Sequence, residues 1–85
     1  MKITLHKDFK KQYQKLRVNE KKKFKERRDL FLLDEFNPIL NNHALKGKYL
    51  GYRSINITGD LRVIFTKNQG EVLFVTIDSH SNLYK

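Results

Sequence analysis

Apolar and polar residues change their spacing twice along this chain. In "KITLH", Ile3 and Leu5 alternate with polar neighbours, the two-residue period of a short strand. The spacing then lengthens, and Phe9, Tyr13 and Leu16 fall at i, i+4 and i+7, on one face of a helix that Asp8 is expected to cap. Asn19 is expected to cap a second helix, with Glu20 in its first turn, where a carboxylate meets the positive end of the helix dipole. That helix carries Phe24, Phe31 and Leu32 on one side, with Leu30 and Leu33 widening the stripe. It should end at Asn37-Pro38, because the residue before a proline disfavours the helical region. Two amphipathic helices with a tight connection make a helical hairpin.

The second half returns to the short period. "YRSINI", "LRVIF" and "VLFVTID" are β-rich runs separated by the turn sequences "TGD" and "KNQG". The order is therefore β-α-α-β-β-β. It predicts an α+β domain with the helical hairpin packed on one face of a mainly antiparallel, twisted sheet. Strict alternation assigns Ile55, Ile57, Leu61, Val63, Phe65, Leu73, Val75 and Ile77 to the helix-covered side. Ser54, Asn56, Arg62, Ile64, Thr66, Phe74, Thr76 and Asp78 are left for the other face. This second face mixes polar and apolar groups, and the strand bearing Asp78 leads straight to His80.

Eighty-five residues suffice for one small domain, so a single domain over residues 1–85 is expected. A domain of this size buries only about 60–65% of its unfolded surface, which leaves a modest core. There are no cysteines, which excludes disulfides and thiolate metal sites. No apolar run is long enough for a signal peptide or a membrane span, so a cytoplasmic protein with no membrane partner is expected. The net charge of +9 is unevenly spread. Residues 1–28 hold twelve of the eighteen Lys and Arg against three acids, Asp8, Glu20 and Glu26. A one-sided basic field attracts polyanions, whether nucleic acid or an acidic protein.

No Walker loop, GxSxG elbow or HExxH motif is present, and "KGKYLG" is not fed into a helix by a strand. His6, His43 and His80 have no metal-ligand spacing, so no metal site is expected. Cleavage of RNA through its own 2′-hydroxyl needs no metal. It requires a base for that hydroxyl, an acid for the leaving 5′-oxygen, and cations on the phosphate. His80, His43 and Asp60 can donate or accept the protons. Arg62 and Lys46 can hold the phosphate oxygens, and Tyr84 offers a stacking surface for a base. Arg53, Asn56 and Thr76 complete the residues expected to touch RNA. Taken alone, a histidine at a strand end is more often a structural hydrogen-bonder than a catalyst.

The stretch "NHALKGKYLGYRSINITGDLRVIF", followed after a turn by "VLFVTIDSHSNLY", resembles the RelE/ParE toxin superfamily, most closely its YafQ branch. The resemblance spans nearly the whole chain. It implies a RelE-like fold and a toxin of a type II toxin–antitoxin system: a ribosome-dependent mRNA interferase, an endoribonuclease that needs no metal or other cofactor. The implied partners are mRNA in the A site of the 30S ribosomal subunit and a cognate acidic antitoxin. Position by position, His43 matches the histidine of the family's "HxLxG" motif and Asp60 the acid opening the next strand. His80 matches the principal catalytic acid or base, Tyr84 an aromatic that supports the base, and Arg62 a strand arginine of RelE-like members. Asn56 and Thr76 depart from the histidine and arginine of the YafQ branch, and Leu61 replaces a tryptophan. Two alternatives stay open on the sequence: a ParE-like toxin acting on DNA gyrase, and a catalytically weak module that binds antitoxin or RNA.

Overall fold

In the computed structural model, which describes residues 1–84, the first strand pairs with the last rather than with its neighbours in sequence. Lys85, at the end of the expected domain, lies outside the described residues. Strand β1 (Lys2–Leu5) runs parallel to β5 (Glu71–Ser79), with Ile3 opposite Val72 and Leu5 opposite Phe74. A parallel pair needs a long crossover, and helices α1 (Lys7–Gln14) and α2 (Val18–Leu33) begin it. Strand β4 (Leu61–Asn68) lies antiparallel between β5 and β3 (Arg53–Asn56), and with β2 (His43–Ala44) at the edge the order is β1-β5-β4-β3-β2. The expected α+β architecture therefore stands, with two additions. These are a two-residue edge strand, β2 (His43–Ala44), and a terminal helical turn, α3 (His80–Leu83), both too short for periodicity to register. No helix among the described residues is long and apolar enough to cross a membrane.

Both helix starts differ from expectation, for the same reason: the capping group lies elsewhere. His6 caps α1, its Nδ1 accepting from the Asp8 amide at 3.0 Å, while Asp8 sits inside the first turn. In α2 the Arg17 amide donates to Glu20 Oε1 at 2.9 Å, and Asn19 is already helical. The apolar stripe of α2 is also narrower than expected. Phe24 and Phe31 are buried, but Leu32 is 44% and Leu33 86% exposed. At about 100° per residue, Leu33 lies half a turn from Phe24, so the helix points it away from the sheet. Between the two phenylalanines, Arg27 donates from Nε to the Ile57 carbonyl at 3.3 Å and ties α2 to the end of β3.

The larger correction concerns β5. Alternation sent Leu73 and Val75 to the core and Phe74 to the open face; Phe74 and Val72 are instead fully buried beneath the helices. Phe65 pairs with Phe74 and Ile64 with Thr76, so Val75 is an extra residue in the ladder. This bulge shifts the parity of the strand. Core positions run Val72, Phe74, Ile77, a step of two and then of three. Because the run from Val72 to Val75 is wholly apolar, alternation had no polar residue there to read. Beyond the bulge the expectation is met again: Ile77 faces the core, and Asp78 pairs with Arg62 on the open face. At the β4–β5 hairpin, Gln69 (φ 50°) and Gly70 (φ 81°) both take the left-handed conformation that a two-residue turn requires.

Two clusters result. The main one joins Phe9, Phe24, Phe31 and Leu40 to the helix-covered face of the sheet. The smaller one lies on the opposite face, where Leu45, Ile64 and Leu83 are buried with Tyr49 and Tyr52 packed against them. Leu83 thus anchors α3 to the sheet. Truncating Phe74 to Ala should cost about 3–5 kcal/mol, the range for a fully buried phenylalanine, a large part of the roughly 5–15 kcal/mol that holds a small domain together. Leu83→Ala should cost about 2 kcal/mol, since its cluster is small. Urea denaturation measures both, and the two variants should melt in that order.

Candidate active site

On the open face, Leu45 of the smaller cluster and the buried Ser54 line a cavity of about 430 Å³. Its walls bring together five of the residues singled out in the sequence: His43, Lys46, Arg62, His80 and Tyr84. Two imidazoles and two cations line it, and among the described residues no carboxylate does. A strand of phosphates fits such a field.

Each side chain is delivered by local structure that the sequence dictates. Pro38 opens a single 3-10 turn (Pro38–Leu40), in which Asn37 Oδ1 accepts from the Ile39 amide at 3.0 Å. Asn41 closes it with φ 47°, a conformation that asparagine tolerates better than most residues. Asn42 pins the loop on both sides, donating to the Glu35 carbonyl at 3.0 Å and accepting from Arg53 Nε at 2.8 Å. The chain then places His43 on β2, opposite Ser54. His43 Nδ1 lies 2.7 Å from the Asn41 carbonyl. A carbonyl only accepts, so Nδ1 carries the proton, and the neutral ring keeps its lone pair on Nε2.

His80 begins α3 where β5 ends. Its amide donates to the Asp60 carbonyl at 2.9 Å, and Ser79 caps the turn by accepting from the Asn82 amide at 3.2 Å. One helical turn later the Tyr84 ring lies 4.8 Å from the His80 ring, centroid to centroid, and the Tyr49 ring meets it edge-on at 6.0 Å. Tyr84 stays 39% exposed, so part of its surface is free to meet a ligand. Arg62 projects from β4, and its guanidinium donates to the carbonyls of Thr58 at 2.9 Å and Gly59 at 3.1 Å. These neutral acceptors fix its position without cancelling its charge.

The remaining expected residues lie outside the cavity. The Asp60 side chain lines a neighbouring cleft with Glu20 and Asp78, although its backbone carbonyl holds His80. Arg53 is opposite Phe65 and so on the reverse face of the sheet, 5.7 Å from the Phe36 ring. Thr76 lines a separate groove beside Lys11 and Lys15 of the first helical segment. Asn56 pairs with Arg62 across the sheet, half-buried, and its Oδ1 has no hydrogen-bond partner among the described residues. Ser54, which sequence reasoning put on this face but gave no role, is fully buried at the cavity wall with an equally unpartnered Oγ. Its burial depends on β2, which no periodicity announced. Among the described residues, no group of three or more His, Cys, Asp or Glu is placed to hold a metal.

Comparison with known proteins follows the same outline. No curated protein is significantly similar in sequence. Among solved structures, YafQ from Escherichia coli BL21(DE3) superposes with a TM-score of 0.83 at 17% identity, covering 98% of this chain and 97% of its own. The E. coli DinJ–YafQ toxin–antitoxin complex gives 0.80 at 18% identity, covering 98% and 96%. A copper-bound mutant toxin from Helicobacter pylori gives 0.80 at 30% identity, with 99% of both chains covered. At their low identities the two E. coli structures carry the fold alone. The sequence profile of the family described as "Bacterial toxin of type II toxin-antitoxin system, YafQ" matches residues 1–85. The chain belongs to the YafQ family of type II toxin–antitoxin toxins.

Proposed function

We propose that this toxin is a metal-independent endoribonuclease that cleaves mRNA on the ribosome, in the A site of the 30S subunit. The observation that carries the reading is the convergence of His43, Lys46, Arg62, His80 and Tyr84 on one cavity that, among the described residues, no carboxylate lines. His43, with its lone pair on Nε2, takes the proton of the ribose 2′-hydroxyl, and the oxygen attacks the adjacent phosphorus. The bond to the 5′-oxygen of the next nucleotide breaks, and protonated His80 returns a proton to that oxygen. The products are a 2′,3′-cyclic phosphate and a free 5′-hydroxyl. Arg62 and Lys46 hold the non-bridging oxygens as negative charge builds on them. Tyr84 stacks on a neighbouring base. Asp60 acts through its carbonyl on His80, and its carboxylate lies outside the cavity.

The partner that restrains it is an acidic antitoxin, a reading supported by the E. coli DinJ–YafQ toxin–antitoxin complex. Twelve cations in residues 1–28 supply the matching field. Exposed Leu33, Phe36 and Ile39, at 86%, 63% and 56%, give such a partner apolar surface to cover.

Single-turnover cleavage of ribosome-bound message tests the chemistry. His80→Ala should lose about 10²–10⁴-fold in rate, the usual worth of a general acid or base, with little change in melting temperature because the ring is exposed. Arg62→Ala should also slow cleavage, whereas Asn56→His should hold or raise the rate. A folded His80→Ala protein that cleaves at the wild-type rate sinks the mechanism, and intact message beside damaged DNA in expressing cells points to gyrase instead. Calorimetry against the antitoxin tests the partner: affinity should fall as salt rises, and a salt-independent constant refutes the electrostatic part.

A further inference from the structure

The β3–β4 turn is built in a way that its sequence, "TGD", does not require. Thr58 Oγ1 accepts from two successive amides, Asp60 at 3.3 Å and Leu61 at 2.9 Å. Side-chain acceptance of this kind fixes a turn locally, in competition with other arrangements of the same backbone. The turn's three successive carbonyls are all engaged. Those of Thr58 and Gly59 receive the Arg62 guanidinium at 2.9 and 3.1 Å, and that of Asp60 receives the His80 amide at 2.9 Å. One small loop therefore holds the guanidinium of Arg62 from β4 and the backbone amide of His80 at the start of α3.

We propose, resting on the nuclease reading above, that Thr58 is a positioning residue of the active site. Its side-chain oxygen orients the peptide planes of the turn, and those planes fix the distance between Arg62 and His80. Threonine itself does not line the cavity. It acts through carbonyls that a freely rotating turn would aim elsewhere. Holding catalytic groups at the correct separation carries much of the rate in any two-centre reaction, and small misplacements are costly. Carbonyl acceptors suit the task because they orient a guanidinium and leave its charge for the phosphate.

The test compares Thr58→Val, which keeps the shape and removes the acceptor, with Thr58→Ser, which keeps the acceptor. In single-turnover cleavage the valine variant should fall by roughly 10- to 100-fold, with ribosome affinity unchanged, and the serine variant should stay close to wild type. Amide hydrogen exchange on the free, folded proteins gives a readout independent of cleavage. Asp60, Leu61 and His80 should exchange faster in the valine variant than in wild type or the serine variant. A valine variant that cleaves at the wild-type rate overturns the proposal, as does one whose activity falls only in step with its unfolded fraction. If the wild-type chain does not cleave, the nuclease reading fails by itself. Exchange then decides for Thr58: unchanged protection at those three amides overturns its role, and lost protection supports it.

Discussion

Phe74 is the residue on which the two layers of this molecule meet. Its ring lies 5.7 Å from Phe9, 6.0 Å from Phe24, 5.9 Å from Phe31 and 6.1 Å from Phe65, so one side chain touches α1, α2 and β4. Its backbone carbonyl also accepts from the His6 amide at 2.9 Å, where β1 gives way to α1. Aromatic pairs at such separations add to the area they bury. The inward aim of Phe74 depends in turn on the extra residue at Val75. With strict alternation through β5, a core that takes Phe74 would also take Asp78, and Ile77 would face the cavity. The bulge reconciles a wide aromatic core at one end of the strand with a polar, functional face at the other.

That division shapes the chemistry. Acidic side chains near the site are drawn aside: Asp78 accepts from the Ser79 amide at 2.8 Å and from Gln12 at 3.4 Å, and Asp60 opens into the same cleft. Among the described residues, the cations of the cavity have no acidic partner, which suits a site for a polyanion. The basic helices carry the same logic further out. Among the described residues few of their charges are paired, Lys23 with Glu26 at 3.6 Å being one case, and exposed pairs of this kind contribute little. Mutual repulsion across the helices is relieved when an anionic surface covers them.

Much of this was legible in the sequence, because it rests on signals that are strictly local. Spacing located both helices, turn residues located the hairpins, and motif resemblance selected His43, Arg62, His80 and Tyr84, which the fold brings to one cavity. What escaped was what depends on partners distant in sequence. The Val75 bulge follows from pairing with β4 and is silent in an unbroken apolar run. Strand β2 exists only because β3 offers it an edge, and it pairs His43 with the buried Ser54. The caps failed for a subtler reason. Asp8 and Asn19 are good capping residues in general, but both helices start earlier, where His6 accepts from the Asp8 amide and Glu20 from the Arg17 amide.

The parallel pairing of β1 with β5 bears on how such a protein is made. Lys2 finds its neighbour at Glu71, so the first strand synthesised waits for one of the last. Contacts this distant in sequence slow folding, since a long loop must close before they are rewarded. Until β5 has emerged from the ribosome, Phe74 is missing from the core, and His80 and Tyr84 do not yet exist to stand beside His43. The cavity of the nascent chain is therefore incomplete until synthesis is nearly finished. The same delay leaves the exposed helical hairpin as the first surface that an antitoxin present in the cell can meet.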